Sequence, residues 1–372
     1  MADSPYSGLR IAVIGVGLMG GSLGLAARAH AGVRHVTGYS RTEASLRLAL
    51  ERGAITQAAG SLAEACAQAD LVFVATPVRM LQEHVAAALA AAPAHAVVSD
   101  MGSTKASLMA GLSDADQRRV VGGHPLCGSE TAGVANATAS LYEGATYFLT
   151  PGAHVEPASL ELLFGFLHQV GARPVAVDPR EHDRLMALMS HLPHVLANTL
   201  MTQAGEHHGS RDALLSAGPS FRDLTRIAGS NPRVWTDIFL ENRDSLLTVL
   251  SAYRSGLEEM EAALRASDEE RIAAIIARSR EHRGRMLASG DLVAENLFRL
   301  TVHIADRPGV LRDIFLALGD AAINVEDFVM HHMSADLGGS LSVYVLGERA
   351  RNKASRVLAG LGYEPVAARE TE

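Results

Sequence analysis

Apolar and polar positions change their rhythm twice along this chain. From residue 10 to about residue 177, short apolar runs at 10–14, 35–39, 71–75 and 96–100 read as buried strands, separated by stretches of helical length. Such alternation predicts a mostly parallel, doubly wound α/β sheet of the Rossmann type, with helices on both faces. A further run at 120–123 leads into His124-Pro125-Leu126-Cys127-Gly128-Ser129-Glu130. Polar residues and glycines packed this tightly behind a strand predict a loop at the strand's carboxyl end, where open α/β sheets place their ligands. Strand-like segments at 145–150 and 174–177 complete this part.

At residue 178 the rhythm becomes helical. Asp178 as N-cap, Pro179 at the first helical position and Glu181 at the third mark a helix start. Leu185, Leu188, Met189, Leu192, Leu196 and Leu200 follow at helical spacing. Pro193 interrupts them and frees a carbonyl one turn back, which predicts a kink near His191 and His194. A second helix spans 220–228. Asn231-Pro232 opens a long one striped by Trp235, Ile238, Phe239, Leu246, Leu250, Tyr253, Leu257, Met260 and Leu264. Ser267-Asp268-Glu269-Glu270 then reads as a capping box for a helix bearing Ile272, Ile275 and Ile276. Helices this long and apolar need a partner surface, so dimerisation through this all-α region is expected.

The third texture begins after residue 290. A strand at 297–304, a turn into a helix at Asp306-Arg307-Pro308-Gly309-Val310-Leu311, strands near Asn324 and at 340–346, a helix from about Lys353 and a strand at 364–367 predict a small ferredoxin-like α+β domain. The expected domains are 1–178, 179–290 and 297–372.

Composition narrows the chemistry. A net charge of −8 over 372 residues leaves no basic field for nucleic acid or an anionic membrane, so an anionic ligand must be met by locally placed arginines. No stretch is apolar and long enough to span a membrane. Cys66 and Cys127 give neither a disulfide framework nor metal-ligand spacing, which suits a reducing cytoplasm. No metal is expected; the pairs His207-His208 and His331-His332 lack acids or cysteines at zinc spacing and read as solvated. Only Lys105 and Lys353 are lysines.

Gly15-Val16-Gly17-Leu18-Met19-Gly20 follows the first strand and opens a helix, the context in which GxGxxG binds a dinucleotide rather than forming a bare turn. Leu18 and Met19 inside the motif, and Thr76 and Pro77 after the 71–75 strand, join the cofactor candidates. The second strand ends in Ser40-Arg41, with no acid for the two ribose hydroxyls of NAD; Arg41 suits a 2′-phosphate, which favours NADP without excluding NAD. Ser103 and His124 both lie at strand ends and can meet across a cleft, His124 as a base or as an incidental turn histidine. Ser103 also stands where it can cap the helix beginning near Lys105. Arg222 and Arg226 share a helix face that either forks a carboxylate or is solvated, with Asp223 pairing Arg226. His191 and His194 read equally as ligand contacts or packed histidines.

With these residues in view, the sequence resembles the prephenate dehydrogenase family of tyrosine biosynthesis. The resemblance rests on the GxGxxG, on Ser99-Asp100-Met101-Gly102-Ser103-Thr104-Lys105, on the stretch from His124 to Glu130, on Ser190-His191-Leu192-Pro193-His194, and on Phe221-Arg222-Asp223-Leu224-Thr225-Arg226-Ile227-Ala228. It implies oxidative decarboxylation of prephenate to 4-hydroxyphenylpyruvate with NAD(P)+, or of its amino analogue arogenate. It further implies that His124 takes the proton of the ring hydroxyl, Ser103 orients that hydroxyl or the imidazole, Arg226 binds a carboxylate, and His194, Ser129 and Arg222 contribute to substrate binding. Glu130 joins the ionic groups at the cleft mouth. The tail resembles an ACT regulatory domain, which implies tyrosine as effector near Asp306, Arg307, Pro308, Gly309, Val310, Leu311 and Asn324. A β-hydroxyacid dehydrogenase would need a lysine on a helix of the second domain, and none stands between Lys105 and Lys353. A non-catalytic amino-acid sensor would not need Ser103, His124 and Arg226 together.

Overall fold

A computed structural model describes residues 4–127, 131–207, 217–290, 297–305, 307–334 and 338–369. Ser129, Glu130, His208 and Asp306 lie outside the described residues, as do the side chains of His207, His331 and His332. The chain forms two compact units, Met1–Ser255 and Gly256–Glu372.

The first unit is built on a parallel sheet of β1 (Arg10–Ile14), β2 (His35–Tyr39), β3 (Gln57–Ala58), β4 (Leu71–Val74) and β5 (Val97–Asp100), in the order β3-β2-β1-β4-β5. Successive residues of β1 point to opposite faces: Ile11 and Val13 enter one apolar cluster, Ala12 and Ile14 the other. Because both faces are covered, β4 and β5 are buried at every position, as a near-continuous apolar run requires. The order reverses between β1 and β4. Ile14 pairs with Val74 and Val74 with Asp100, so the residues after all three strands emerge side by side at one carboxyl edge.

A second sheet stands beside β5. In it β6 (Val121–Pro125) runs antiparallel to β7 (Thr146–Pro151), and β7 runs parallel to β8 (Arg173–Ala176). A parallel bridge between Val98 and Val120 sets β6 against β5. His124, expected on a loop, is therefore the penultimate residue of a strand, opposite Phe148. Gly123 makes this possible: a β-carbon there would come within 2.4 Å of the Asp100 carbonyl oxygen, so only glycine lets β6 lie this close to the end of β5.

Helices follow from residue 178, with Asp178 capping the Pro179–Met186 helix as expected through bonds from the Arg180 and Glu181 N–H groups. Where the Pro193 kink was expected, the chain widens into a π-helical turn, Ala187–His191, before the Leu192–His207 helix. The long helix expected from Asn231 is broken. Pro232–Glu241 and Arg243–Ala266 meet at Asn242, a buried residue outside helical geometry whose side chain is used elsewhere. The 220–228 helix is also shorter than expected, running Pro219–Thr225 and tightening into a 3₁₀ turn, Arg226–Gly229.

The second unit contains the Glu269–Gly290 helix, whose cap is Asp268 rather than Ser267: the Asp268 carboxylate accepts the Arg271 N–H at 3.0 Å, while Ser267 takes a left-handed conformation to reverse the chain. It also contains an antiparallel sheet of β9 (Leu297–Ile304), β10 (Asp327–Ser334), β11 (Gly338–Leu346) and β12 (Val366–Arg369), in the order β10-β11-β9-β12. The Val310–Asp320 and Gly347–Gly360 helices pack over it around Leu300, Val302, Ile314, Leu341, Val343 and Leu358. This βαββαβ order is ferredoxin-like, as the tail's pattern predicts.

Candidate active site

The glycine-rich turn sits at the carboxyl edge where the strand order reverses, the place where open α/β sheets bind ligands. Gly15 has φ +100°, and a β-carbon on it would meet the Ala75 carbonyl oxygen at 2.5 Å. Gly20 would meet the Gly15 carbonyl oxygen at 2.4 Å, so it lets the Leu18–His30 helix close onto the strand. Around Gly17 nothing lies within 4 Å of a built β-carbon: its backbone faces open space at the N-terminus of a 13-residue helix. That cradle fits a dinucleotide pyrophosphate. Thr76 stands beside Gly15, and the Gly15 N–H donates to the Tyr39 carbonyl at 2.8 Å, which puts Ser40 and exposed Arg41 next to the same turn.

On the same edge, Ser103 and His124 share a cleft of about 470 Å³ with Cys127, Ser190, His194 and Trp235. Ser103 and His124 thus line one cleft. His194 is buried, stacks on Trp235 with ring centroids 3.3 Å apart, and keeps its Nδ1 without a hydrogen-bond partner among the described residues. Burial, and then the positive charge of Arg226, lower the pKa of His194 to about 4. Arg226 therefore stands close enough to His194 for its charge to be felt, whereas Arg222 is exposed and is not part of the cleft lining. The π-helical turn carries Ser190 into the cleft; such turns recur at functional sites.

Behind the cleft lies a buried polar cluster that periodicity does not reveal. His124 Nδ1 is 2.9 Å from His182 Nε2, and His182 Nδ1 is 2.8 Å from the Asp183 carboxylate. That carboxylate also accepts the N–H groups of Lys105 and Ala106, each at 2.8 Å. Asp183, and not Ser103, therefore satisfies the start of the Ala106–Ala110 helix. Asn242 donates to the Asp183 carbonyl at 2.7 Å and lies 3.2 Å from His191 Nδ1. Beside them the fully buried Lys105 ammonium pairs with Asp100, whose carboxylate also takes the N–H groups of Gly102 and Gly123. Burial lowers the Lys105 pKa, opposed by Asp100. Burial, followed by His182, Lys105 and His191, holds the His124 pKa well below 6.5. An imidazole so held is uncharged at neutral pH and able to accept a proton.

Asp100, Lys105, His182, Asp183 and Asn242 escape the sequence reading. All but Asp100 leave a trace: the first lysine in the chain lies two residues past Ser103, His182-Asp183 sits on the turn after a strong cap, and Asn242 interrupts an apolar stripe. In the second unit, Arg307, Pro308, Gly309, Val310 and Leu311 line a cavity of about 340 Å³ with Met330. Asn324 instead donates to Glu326 at 2.7 Å and is not among the residues lining that cavity. No cluster of metal-ligating side chains occurs among the described residues.

Comparison with known proteins gives the family. Residues 23–176 match the nucleotide-binding domain of prephenate dehydrogenase, and residues 178–278 match its dimerization domain. The chain belongs to the prephenate dehydrogenase family. It is 29% identical to the prephenate dehydrogenase of Bacillus subtilis over 360 residues, covering 94% of this chain and 95% of that protein. It is 34% identical to the cyclohexadienyl dehydrogenase of Zymomonas mobilis over 262 residues, covering 69% and 89%. The structure of prephenate dehydrogenase from A. aeolicus, in complex with hydroxyphenyl propionate and NAD+, superposes with a TM-score of 0.70 at 29% identity, over 76% of this chain and all of that one. As a member of the prephenate dehydrogenase family, the chain is an oxidoreductase working with a nicotinamide cofactor.

The depressed histidines of the site set a direction for stability. His191 and His194 titrate at about 4 when folded, against 6.5 in the open chain, so between those values the unfolded state binds more protons. Their contribution is complete above about pH 6.5 and is lost as pH falls towards 4. The urea midpoint should therefore drop across that window, and His194→Gln should flatten the drop. A His194→Gln profile parallel to that of the wild type would contradict this.

Proposed function

We propose that this chain catalyses the oxidative decarboxylation of prephenate to 4-hydroxyphenylpyruvate in the cleft bounded by Ser103, His124, His194 and Trp235. The observation that carries the reading is the placement of an uncharged, cleft-lining His124 beside Ser103, on the carboxyl edge that also bears the dinucleotide cradle. Gly15, Gly17, Leu18, Met19, Gly20, Thr76 and Pro77 would hold the dinucleotide, and its nicotinamide supplies the hydride acceptor. Ser40 and Arg41 favour the 2′-phosphate of NADP over the bare ribose of NAD.

His124 accepts the proton of the ring hydroxyl, and Ser103 orients that hydroxyl. Arg226 forks a substrate carboxylate, and the Nδ1 of His194, without a partner among the described residues, receives or offers a hydrogen bond at the same end. Arg222, Ser129 and Glu130 would act at the periphery of the cleft. Loss of carbon dioxide aromatises the ring, so the protein's part is to start the oxidation and hold the geometry. Arogenate fits the same mechanism with an amine in place of a keto group.

We also assign the chain three domains, 1–178, 179–290 and 297–372. Exposed Leu240 and Leu247 in the first unit, and exposed Leu257, Leu264 and Ile276 in the second, leave helical segments of each with apolar side chains suited to covering by a second copy. The free thiols of Cys66 and Cys127 suit a cytoplasmic setting. The cavity behind Arg307, Pro308, Gly309, Val310 and Leu311 is assigned to tyrosine as effector, with Asp306 next to it in sequence and Asn324 as a further candidate contact.

The decisive assay follows absorbance at the reduced-nicotinamide band with prephenate and with arogenate, each paired with NAD+ and NADP+. Turnover with prephenate is expected, and His124→Asn should lower kcat by about 10²- to 10⁴-fold while still binding dinucleotide. Turnover with arogenate alone would change the substrate and keep the mechanism; no turnover in any pairing would overturn the reading. Calorimetry should show tyrosine binding to the wild type, weakened in Arg307→Ala. Absence of heat at millimolar tyrosine would remove the effector assignment.

A further inference from the structure

The base role of His124 leaves open which ring nitrogen carries its proton, and the residues behind it answer that. We propose that His182, held by Asp183, is a positioning residue that locks His124 into the tautomer protonated on Nδ1, leaving Nε2 as the base that faces substrate. The inference rests on reading His124 as the base.

The chain of hydrogen bonds runs outward from the Asp183 carboxylate. Asp183 takes two backbone N–H donors and lies 2.8 Å from His182 Nδ1. An ionised carboxylate only accepts, so His182 Nδ1 bears the proton, and in a neutral ring Nε2 is then a lone pair. That lone pair is 2.9 Å from His124 Nδ1, and a bond at this distance needs a proton between them, which only His124 can supply. His124 therefore donates from Nδ1 and keeps Nε2 free.

The lock cannot swing. His182 is fully buried, with Phe148 edge-on at 5.5 Å and His124 at 5.1 Å between ring centroids. The Pro179–Met186 helix that carries it starts from a firm Asp178 cap. The charged and titratable groups facing the pair are Asp183 beside it, Lys105 and Asp100 from β5 and the loop after it, and His191 from the π-helical turn. Without an acceptor behind Nδ1, His124 is free to carry its proton on Nε2, where it cannot act as base. Wrong-tautomer histidines of this kind lose catalytic rate while keeping substrate binding.

The test uses the full-length protein and three variants. His182→Leu removes the acceptor; His182→Gln restores one, since its carboxamide oxygen can accept from His124 and its NH₂ can donate to Asp183. Nitrogen-15 NMR of the imidazoles, with the His124 signals assigned by their loss in His124→Asn, reads the tautomer without substrate. The expected results are an Nδ1-protonated His124 in the wild type, a kcat lowered about 100-fold or more in His182→Leu with KM and dinucleotide affinity little changed, and recovery to within about ten-fold of wild type in His182→Gln. An Nε2-protonated His124, a His182→Leu enzyme within about two-fold of wild type, or a His182→Gln enzyme as slow as His182→Leu would each overturn the proposal. Should the wild type turn over neither prephenate nor arogenate, the functional reading fails, and the NMR result still decides the tautomer.

Discussion

The site depends on a single carboxylate. Asp183 closes the start of the Ala106–Ala110 helix with both oxygens, bonds to His182 with one of them, and lends its own carbonyl to Asn242. Four otherwise separate pieces of chain, the loop after β5, the Pro179–Met186 helix, the break at Asn242 and, through His182, the strand carrying His124, are thereby held in one arrangement. A buried carboxylate is costly unless its lone pairs are filled, and here they are filled by groups that themselves need partners. The same bonds that stabilise the fold therefore fix the orientation of the His124 imidazole.

The local features of the molecule were legible in the sequence. The GxGxxG acts through the backbone conformation and close approach of Gly15, Gly17 and Gly20, and each glycine announces itself within a few residues of its strand. The Asp178 cap is likewise a matter of neighbours in sequence. Ser103 and His124 could be paired because both stand at strand ends that the βα order brings to one edge. What could not be read was anything that depends on a distant partner. Asn242 looks like one tolerable polar residue in an apolar stripe until Asp183 and His191 are seen to claim its side chain. Lys105 carries no role of its own in the sequence beyond its place in the Ser99–Lys105 motif, because its partner Asp100 and its burial belong to the packing of β6 on β5. His124 was misplaced onto a loop for the same reason: the strand continues through it only because Gly123 meets the Asp100 carbonyl.

Charge is distributed in keeping with an anionic substrate. The chain as a whole is acidic, so attraction is left to placed groups, and Arg226 stands at the His194 and Trp235 end of the cleft where its charge already depresses the histidine. At the other end His124 is kept neutral, first by burial and then by the groups at its back, Lys105 among them, which leaves it in the form that accepts a proton. On the proposed reading, Arg226 would bind a carboxylate and His124 would act as base, the two requirements of an oxidation that begins at a hydroxyl and finishes by expelling carbon dioxide.

That division of labour is tested most directly by the pH dependence of kcat/KM, which reports the ionisations of the free enzyme. An environment that depresses His124 predicts an acid limb centred below pH 6.5, and predicts that this limb disappears from the residual rate of His124→Asn. An acid limb at or above 6.5, or one that survives unchanged in the variant, would show that His124 is not the group whose neutrality the reaction needs.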